Sequence, residues 1–185
     1  MNAWWQMWEG GASDDLCKQI IRDGMELPVS TGTVGHGGVA VVNPQIRRSK
    51  VRWVPRSWAW MFRELEYYFH TANVNAFGFD LSCLREVQFT EYREADQGEY
   101  KMHEDNTWLN PRPLDRKLSL VMQLCDPATY AGCDLVLGES PPDPQKLRAK
   151  GTVIVFPSFL KHAVTPITQG VRFSLVAWFD GPKFR

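Results

Sequence analysis

Three side chains, His103, Asp105 and, far downstream, His162, could hold a metal ion between them. In an extended segment Tyr100-Lys101-Met102-His103-Glu104-Asp105, the two-residue period of a strand turns Lys101, His103 and Asp105 to one face. An imidazole and a carboxylate then point the same way, and His162 could complete the set by returning on a neighbouring strand. Two imidazoles and one carboxylate leave coordination positions open, which suits non-haem Fe(II) and differs from a closed all-cysteine zinc site. The plainer alternatives are a local hydrogen-bonded His103–Asp105 pair and a surface histidine at 162.

Such a set needs a strand-rich frame. Residues 86–92, 98–105, 118–125, 134–137, 152–156 and 171–179 have strand character. Turn chemistry separates them at Asp96-Gln97-Gly98, Asn110-Pro111, Asp126-Pro127, Gly132 and Pro141-Pro142-Asp143-Pro144. Many strands between such turns suggest a sheet pair that protects its edges, a jelly roll. The early chain predicts helices to support it. Ser13 is an N-cap candidate followed by Asp14 and Asp15, with Leu16, Cys17, Ile20 and Ile21 at helical spacing and Gly24 as a stop. A second helix is predicted over 57–72, its apolar stripe formed by Trp58, Met61, Phe62, Leu65 and Phe69. His70, near its end, suits the helix dipole rather than chemistry.

Composition permits an enzyme without naming one. The 185 residues are 44% hydrophobic, enough for one domain with a real core. Lys plus Arg balances Asp plus Glu at 21 each, so net charge announces neither nucleic acid nor an anionic membrane. Four cysteines without a CxxC pair, and no charged-then-apolar opening segment, give an expectation of free thiols in the cytoplasm. No apolar run reaches the roughly 18 residues of a membrane span. Trp4, Trp5 and Trp8 are expected in a short strand or arm packed on the domain, and residues 28–38, rich in Gly, Thr and Ser, in a surface loop. The basic segment 46–53 could pack, admit an acidic substrate, or combine phosphate contacts with stacking on Trp53.

Four stretches in order resemble the prolyl 4-hydroxylase-like branch of the 2-oxoglutarate and Fe(II)-dependent dioxygenases. They are 92–105; 46–53; 116–119 through Gln123 to Tyr130-Ala131-Gly132-Cys133-Asp134-Leu135; and 151–157 through His162 to Gly170-Val171-Arg172. Together they span roughly residues 40 to 180. The resemblance implies a double-stranded β-helix, cupin-like and mainly β, in a single domain over 1–185 whose first 80 residues supply helical support and early strands. It implies iron at His103, Asp105 and His162, the distal carboxylate of 2-oxoglutarate at Arg172, and a cosubstrate hydrogen bond from Tyr92. Oxygen would be the other cosubstrate, with room for ascorbate as an accessory reductant. Cys133 departs from the family, which often has a second glycine there.

On a strand over 171–179, Arg172, Ser174, Val176 and Trp178 share one face. A cation buried there needs an anion, which a dicarboxylate would supply; the plainer alternative is an internal pair with an Asp or Glu. The implied reaction hydroxylates an unactivated carbon, foremost in a prolyl residue of a peptide or protein, with release of succinate and carbon dioxide. The loop of Asn106, Thr107 and Trp108 is a candidate mouth element, since Trp108 could stack on proline or on a base. Rival expectations are a nucleic-acid-modifying dioxygenase and a non-catalytic jelly-roll interaction module.

Overall fold

A computed structural model describes residues 3–36, 39–106, 108 and 111–184, with only the backbone at 35, 36, 39 and 40. The strands are β1 (Gln6–Trp8), β2 (Ser30–Thr31), β3 (Val34–His36), β4 (Val39–Val41), β5 (Arg47–Arg48), β6 (Lys50–Trp53), β7 (Cys83–Arg93) and β8 (Glu99–His103). They continue as β9 (Leu114–Gln123), β10 (Tyr130–Gly132), β11 (Leu135–Leu137), β12 (Val153–Pro157), β13 (His162–Val164) and β14 (Ile167–Pro182). Three helices, α1 (Asp14–Met25), α2 (Ala59–Ala72) and α3 (Pro144–Arg148), interrupt them.

An antiparallel major sheet in the order β1-β12-β9-β14-β7-β6-β2, with β10 added on β14, faces a minor sheet β11-β13-β8-β5. This is the expected double-stranded β-helix. Alternation along the central strands decides what each face buries. In β9 and β12, Leu118, Leu120, Met122, Val153 and Val155 turn outward to a core shared with Cys17, Ile20, Met61, Leu65 and Phe69 of the two long helices. Val121, Ile154 and Phe156 turn inward, toward Leu135, Leu137 and Val164 of the minor sheet. The helices therefore brace one face of the major sheet while the other face is left for the space between sheets.

Both long helices form on the predicted apolar stripes, with different ends. Ser13 caps α1, its hydroxyl accepting from the Leu16 N–H at 3.2 Å. Gly24 does not stop the helix: it lies buried within it, and an added Cβ would sit 2.9 Å from the Phe89 ring. Close helix–sheet approach, not a left-handed cap, explains that glycine. Helix α2 begins at Ala59 and runs on through a π-helical turn, Asn73–Phe77, to a left-handed Gly78. Residues 28–38 were expected to form a loop, yet β2 pairs with β6 and β3 with β4. The tryptophan-rich start does pack as a strand, β1 on β12. All four cysteines are free thiols. Among the described residues, no helix is long and apolar enough to cross a membrane.

Candidate active site

Strand β13 pairs with β8 so that His162 lies opposite His103. Their ring centroids are 4.2 Å apart. The strand β8 ends at His103, earlier than expected, and Asp105 reaches the site from the bend that follows. Its backbone N–H and that of Asn106 both donate to the Ser158 carbonyl, at 2.8 and 3.0 Å, which aims the Asp105 carboxylate back at the histidines. His103 Nε2 lies 3.6 Å from Asp105 Oδ1, and His162 Nε2 lies 3.5 Å from Oδ2. One ligand atom from each residue falls within 4.8 Å of the others, close enough for a single ion.

Each imidazole is already oriented. His103 Nδ1 is 2.8 Å from the Lys101 carbonyl and His162 Nδ1 is 2.9 Å from the Leu160 carbonyl. A carbonyl can only accept, so Nδ1 carries the proton in both rings and Nε2 presents its lone pair to the centre. The Ser119 hydroxyl donates to Asp105 Oδ2 at 2.7 Å and lies 2.9 Å from the Ser158 hydroxyl. Burial pushes the His162 pKa down, against the pull of Asp105, so this imidazole stays neutral near pH 7. Burial also works against the Asp105 carboxylate, but His162, His103 and Arg116 together hold its pKa below the ordinary range. A neutral His162 imidazole and an ionised Asp105 carboxylate are the protonation states that bind a metal. The donor set fits Fe(II): two imidazole nitrogens and one carboxylate, each steered from behind.

The three residues open on a cavity of about 820 Å³ whose wall also carries Tyr92 and Arg172. Arg172 is 1% exposed, on β14 directly across from Tyr92 on β7. Its Nε and Nη2 both donate to Gln123 Oε1, at 3.2 and 2.8 Å, Nη1 lies 4.0 Å from Cys133 Sγ, and its guanidinium carbon is 5.6 Å from the Tyr92 ring centroid. None of these partners is a carboxylate. The nearby Cys133, Tyr130 and Tyr92 have pKa values raised by burial in spite of Arg172, so they are neutral at pH 7. A guanidinium remains charged at any ordinary pH. The cavity therefore holds at one place a buried cation with no counter-ion among the described residues, and at another an anionic metal-type site. The face predicted for β14 is as expected, with Arg172, Ser174, Val176 and Trp178 all on the cavity wall.

Comparison with known proteins agrees with this arrangement. Residues 87–180 match the family profile of the 2OG-Fe(II) oxygenase superfamily. The chain belongs to that superfamily. Among its relatives, a PKHD-type hydroxylase of Pseudomonas putida (strain W619) is 32% identical over 91 residues, 47% of this chain and 39% of the relative. PKHD-type hydroxylase YbiX of Escherichia coli (strain 55989 / EAEC) is 31% identical over 120 residues, 60% of this chain and 51% of the relative. The chain thus spans about half or less of the length of these curated relatives. In fold it is similar to a viral collagen prolyl hydroxylase from Paramecium Bursaria Chlorella virus-1, solved with 2OG. Their TM-score is 0.70 at 17% identity, over 97% of both chains. It is also similar to a Pseudomonas putida prolyl-4-hydroxylase, with a TM-score of 0.65 at 21% identity over 95% of this chain and 92% of that one.

Within this superfamily member, the basic stretch is spent on structure. Arg47 donates to Ser49 Oγ and the Thr33 carbonyl, Arg48 pairs with Glu99 at 2.6 Å, and Arg52 pairs with Glu91 at 2.8 Å. It builds the wall near Tyr100, whose ring stacks on His103 with centroids 3.5 Å apart. Asn106 lines the cavity, whereas Trp108 is 54% exposed, bonded to Glu104 and stacked near Phe159 and Phe184, off the cavity wall. Thr107 lies outside the described residues, as does the His36 side chain. Gly132 and Cys133 both adopt positive φ, 67° and 57°. A Cβ at Gly132 would meet the Pro166 carbonyl at 2.2 Å, while Cys133 takes the strained conformation and sets its sulfur against Arg172. Sequence reasoning missed Ser119, Ser158 and Gln123. Ser119 and Gln123 are the polar pair, four apart and hence on one face, of the otherwise apolar second half of β9, residues 118–123, and that was the available signal.

Proposed function

We propose that this chain is an Fe(II)- and 2-oxoglutarate-dependent dioxygenase that hydroxylates a prolyl residue in a peptide or protein. One observation carries the proposal: two tautomer-fixed imidazoles and a carboxylate converge within 4.8 Å on a cavity that also contains Arg172, which has no carboxylate partner among the described residues. In this assignment His103, Asp105 and His162 hold the metal, and Arg172 takes the distal carboxylate of 2-oxoglutarate by its planar fork. Tyr92, kept protonated by burial, donates a hydrogen bond to the same cosubstrate. The whole chain acts as one such domain, with ascorbate as an accessory reductant.

When bound with 2-oxoglutarate and oxygen, the iron supplies hydroxylation of an unactivated carbon, with succinate and carbon dioxide as the other products. The residues of the chain do the rest by position. Ser119 and the Ser158 carbonyl fix the Asp105 carboxylate, and the Lys101 and Leu160 carbonyls fix the two rings. The sheet walls exclude water and present the acceptor carbon at one orientation. No side-chain acid or base is needed. The peptide acceptor is supported by the prolyl hydroxylases that share the fold, and nucleic acid is disfavoured because Arg47, Arg48 and Arg52 have internal partners.

Anaerobic titration with Fe(II) and 2-oxoglutarate, followed by oxygen and a library of blocked proline-containing peptides, tests the proposal. The expected result is saturable binding of both and peptide mass gain of one oxygen. Oxidation of DNA or RNA instead would replace the acceptor class, and binding without 2-oxoglutarate consumption on any acceptor would indicate a non-catalytic module.

A further inference from the structure

Asn106 follows Asp105 directly and is 4% exposed. Its backbone N–H is bound to the Ser158 carbonyl, yet both carboxamide atoms, Oδ1 and Nδ2, are buried with no hydrogen-bond partner among the described residues. The side chain lines the same cavity as His103, Asp105 and His162. A buried amide with neither end paired is costly, and an apolar residue of similar shape would fill the space without that cost. Such a group in a native site calls for a ligand that pairs with it. A carboxamide offers one acceptor and one donor side by side.

We infer that Asn106 is an acceptor-positioning residue that reads the main chain of an extended peptide. This rests on the peptide acceptor proposed above. In an extended chain the N–H and C=O of one residue project from the same edge, as in an antiparallel ladder where paired residues exchange both bonds. One carboxamide can therefore engage both: Nδ2 donates to the peptide carbonyl, and Oδ1 accepts from the N–H of the same residue. Proline has no N–H. The residue read by Asn106 is then a neighbour of the proline, and the proline itself is left for the metal centre. The backbone anchor shared by Asp105 and Asn106 on Ser158 ties the recognised peptide bond rigidly to the oxidising position.

The probe is the fastest-oxidised peptide of the blocked proline library, made also with backbone N-methylation at the residues flanking proline. The 185-residue wild type and Asn106→Leu are compared for Mn(II) and 2-oxoglutarate affinity, melting temperature and peptide KM. Asn106→Leu is expected to keep both affinities, melt at the same or a higher temperature, and raise the peptide KM by on the order of tenfold. N-methylation at one flanking position should weaken wild type by a similar factor and the variant little. An unchanged KM, or equal sensitivity of both proteins to N-methylation, overturns the inference. So does a joint fall in Mn(II) affinity and melting temperature, which marks a packing role. If Asn106→Leu does not fold, Asn106→Ala carries the same comparison, and the N-methylated probe on wild type needs no variant: full tolerance of both methylations overturns the inference. If no peptide is oxidised by wild type, the functional proposal fails and the inference fails with it.

Discussion

The metal end of the cavity and its Arg172 end are built in opposite ways. At the metal end every donor is held by the chain itself: His103 by a carbonyl of its own strand, His162 by the Leu160 carbonyl in the bend just before β13, and the carboxylate by Ser119 and a pinned backbone. At the other end a fully buried guanidinium rests on an amide oxygen, a thiol and a phenol ring, all neutral. A buried charge without a counter-charge costs several kcal/mol. The first arrangement is a full donor set for a cation. The second is half of an ion pair, and in the proposed function a carboxylate is its other half. On that proposal selectivity for a small diacid follows, because one carboxylate would satisfy Arg172 while the rest of the molecule reached the metal.

The largest expected effect breaks the metal end. Outer residues that merely orient a ligand typically cost ten- to a hundredfold in affinity, so loss of a ligand itself, in His103→Ala or Asp105→Ala, should exceed roughly a hundredfold in iron-dependent turnover. Near-unchanged turnover in either purified, folded variant would remove the metal assignment. Arg172→Met comes next and sharpens the contrast. The 2-oxoglutarate KM should rise by on the order of a hundredfold, since a charge-assisted bidentate contact is lost. The unliganded protein should nevertheless become more stable, by about 1–4 kcal/mol, as an unpaired buried cation is replaced by an apolar chain. Differential scanning fluorimetry with and without 2-oxoglutarate reads both effects. A strongly destabilised unliganded variant would mean that Gln123 and Tyr92 already satisfy Arg172.

Ser119→Ala should lower metal affinity by about ten- to a hundredfold with little change in 2-oxoglutarate binding to the loaded site, measured by titration with Mn(II). The role of this serine shows how far the sequence was legible. His103, Asp105, His162 and Arg172 could be picked out because titratable groups stand out against apolar strands and the two-residue period states their faces. The sheet pair and both helices were legible for the same reason. Ser119 and Gln123 were passed over because serine and glutamine are ordinary on strands, and what distinguishes them is a partner 14 or 49 residues away. Gly24 was misjudged because a glycine needed for contact with Phe89 looks, in sequence, like one needed to end a helix. A brief strand is legible at 39–42, but its partner β3 was hidden by the glycines around it, residues that also make loops.

Acidification should separate the two ends. Burial lowers the His162 pKa from its ordinary 6.5, so the folded chain binds fewer protons there than the unfolded chain does. Stability from this group is therefore present above pH 6.5 and begins to be lost as pH falls below it. Asp105 is also lowered, from an ordinary 3.8, so its contribution is lost only at more acid pH. Arg172 does not titrate in this range. Between about pH 7.5 and 5.5 metal affinity should fall while the Arg172 contact with a carboxylate is unaffected. Calorimetric titration of Mn(II), and then of 2-oxoglutarate into the Mn(II)-saturated protein, at each pH checks this. A parallel decline in both, with metal saturated, would contradict the contrast between the ends.

The smallest effect is expected at the rim, where neither principle applies. Trp108 lies half in solvent, its indole N–H donating to Glu104 at 3.0 Å and its ring near Phe159 and Phe184. These contacts hold Trp108 itself off the cavity wall. Trp108→Ala should thus cost about 1 kcal/mol of stability, the scale of an aromatic pair, and leave Mn(II) and 2-oxoglutarate affinities unchanged. If Trp108 also contacts the acceptor, the cost will appear in coupling: more succinate formed per hydroxylated peptide, because an acceptor held less tightly is missed more often. A succinate-to-product ratio equal to that of wild type would limit Trp108 to these contacts, and would leave the acceptor to the cavity wall.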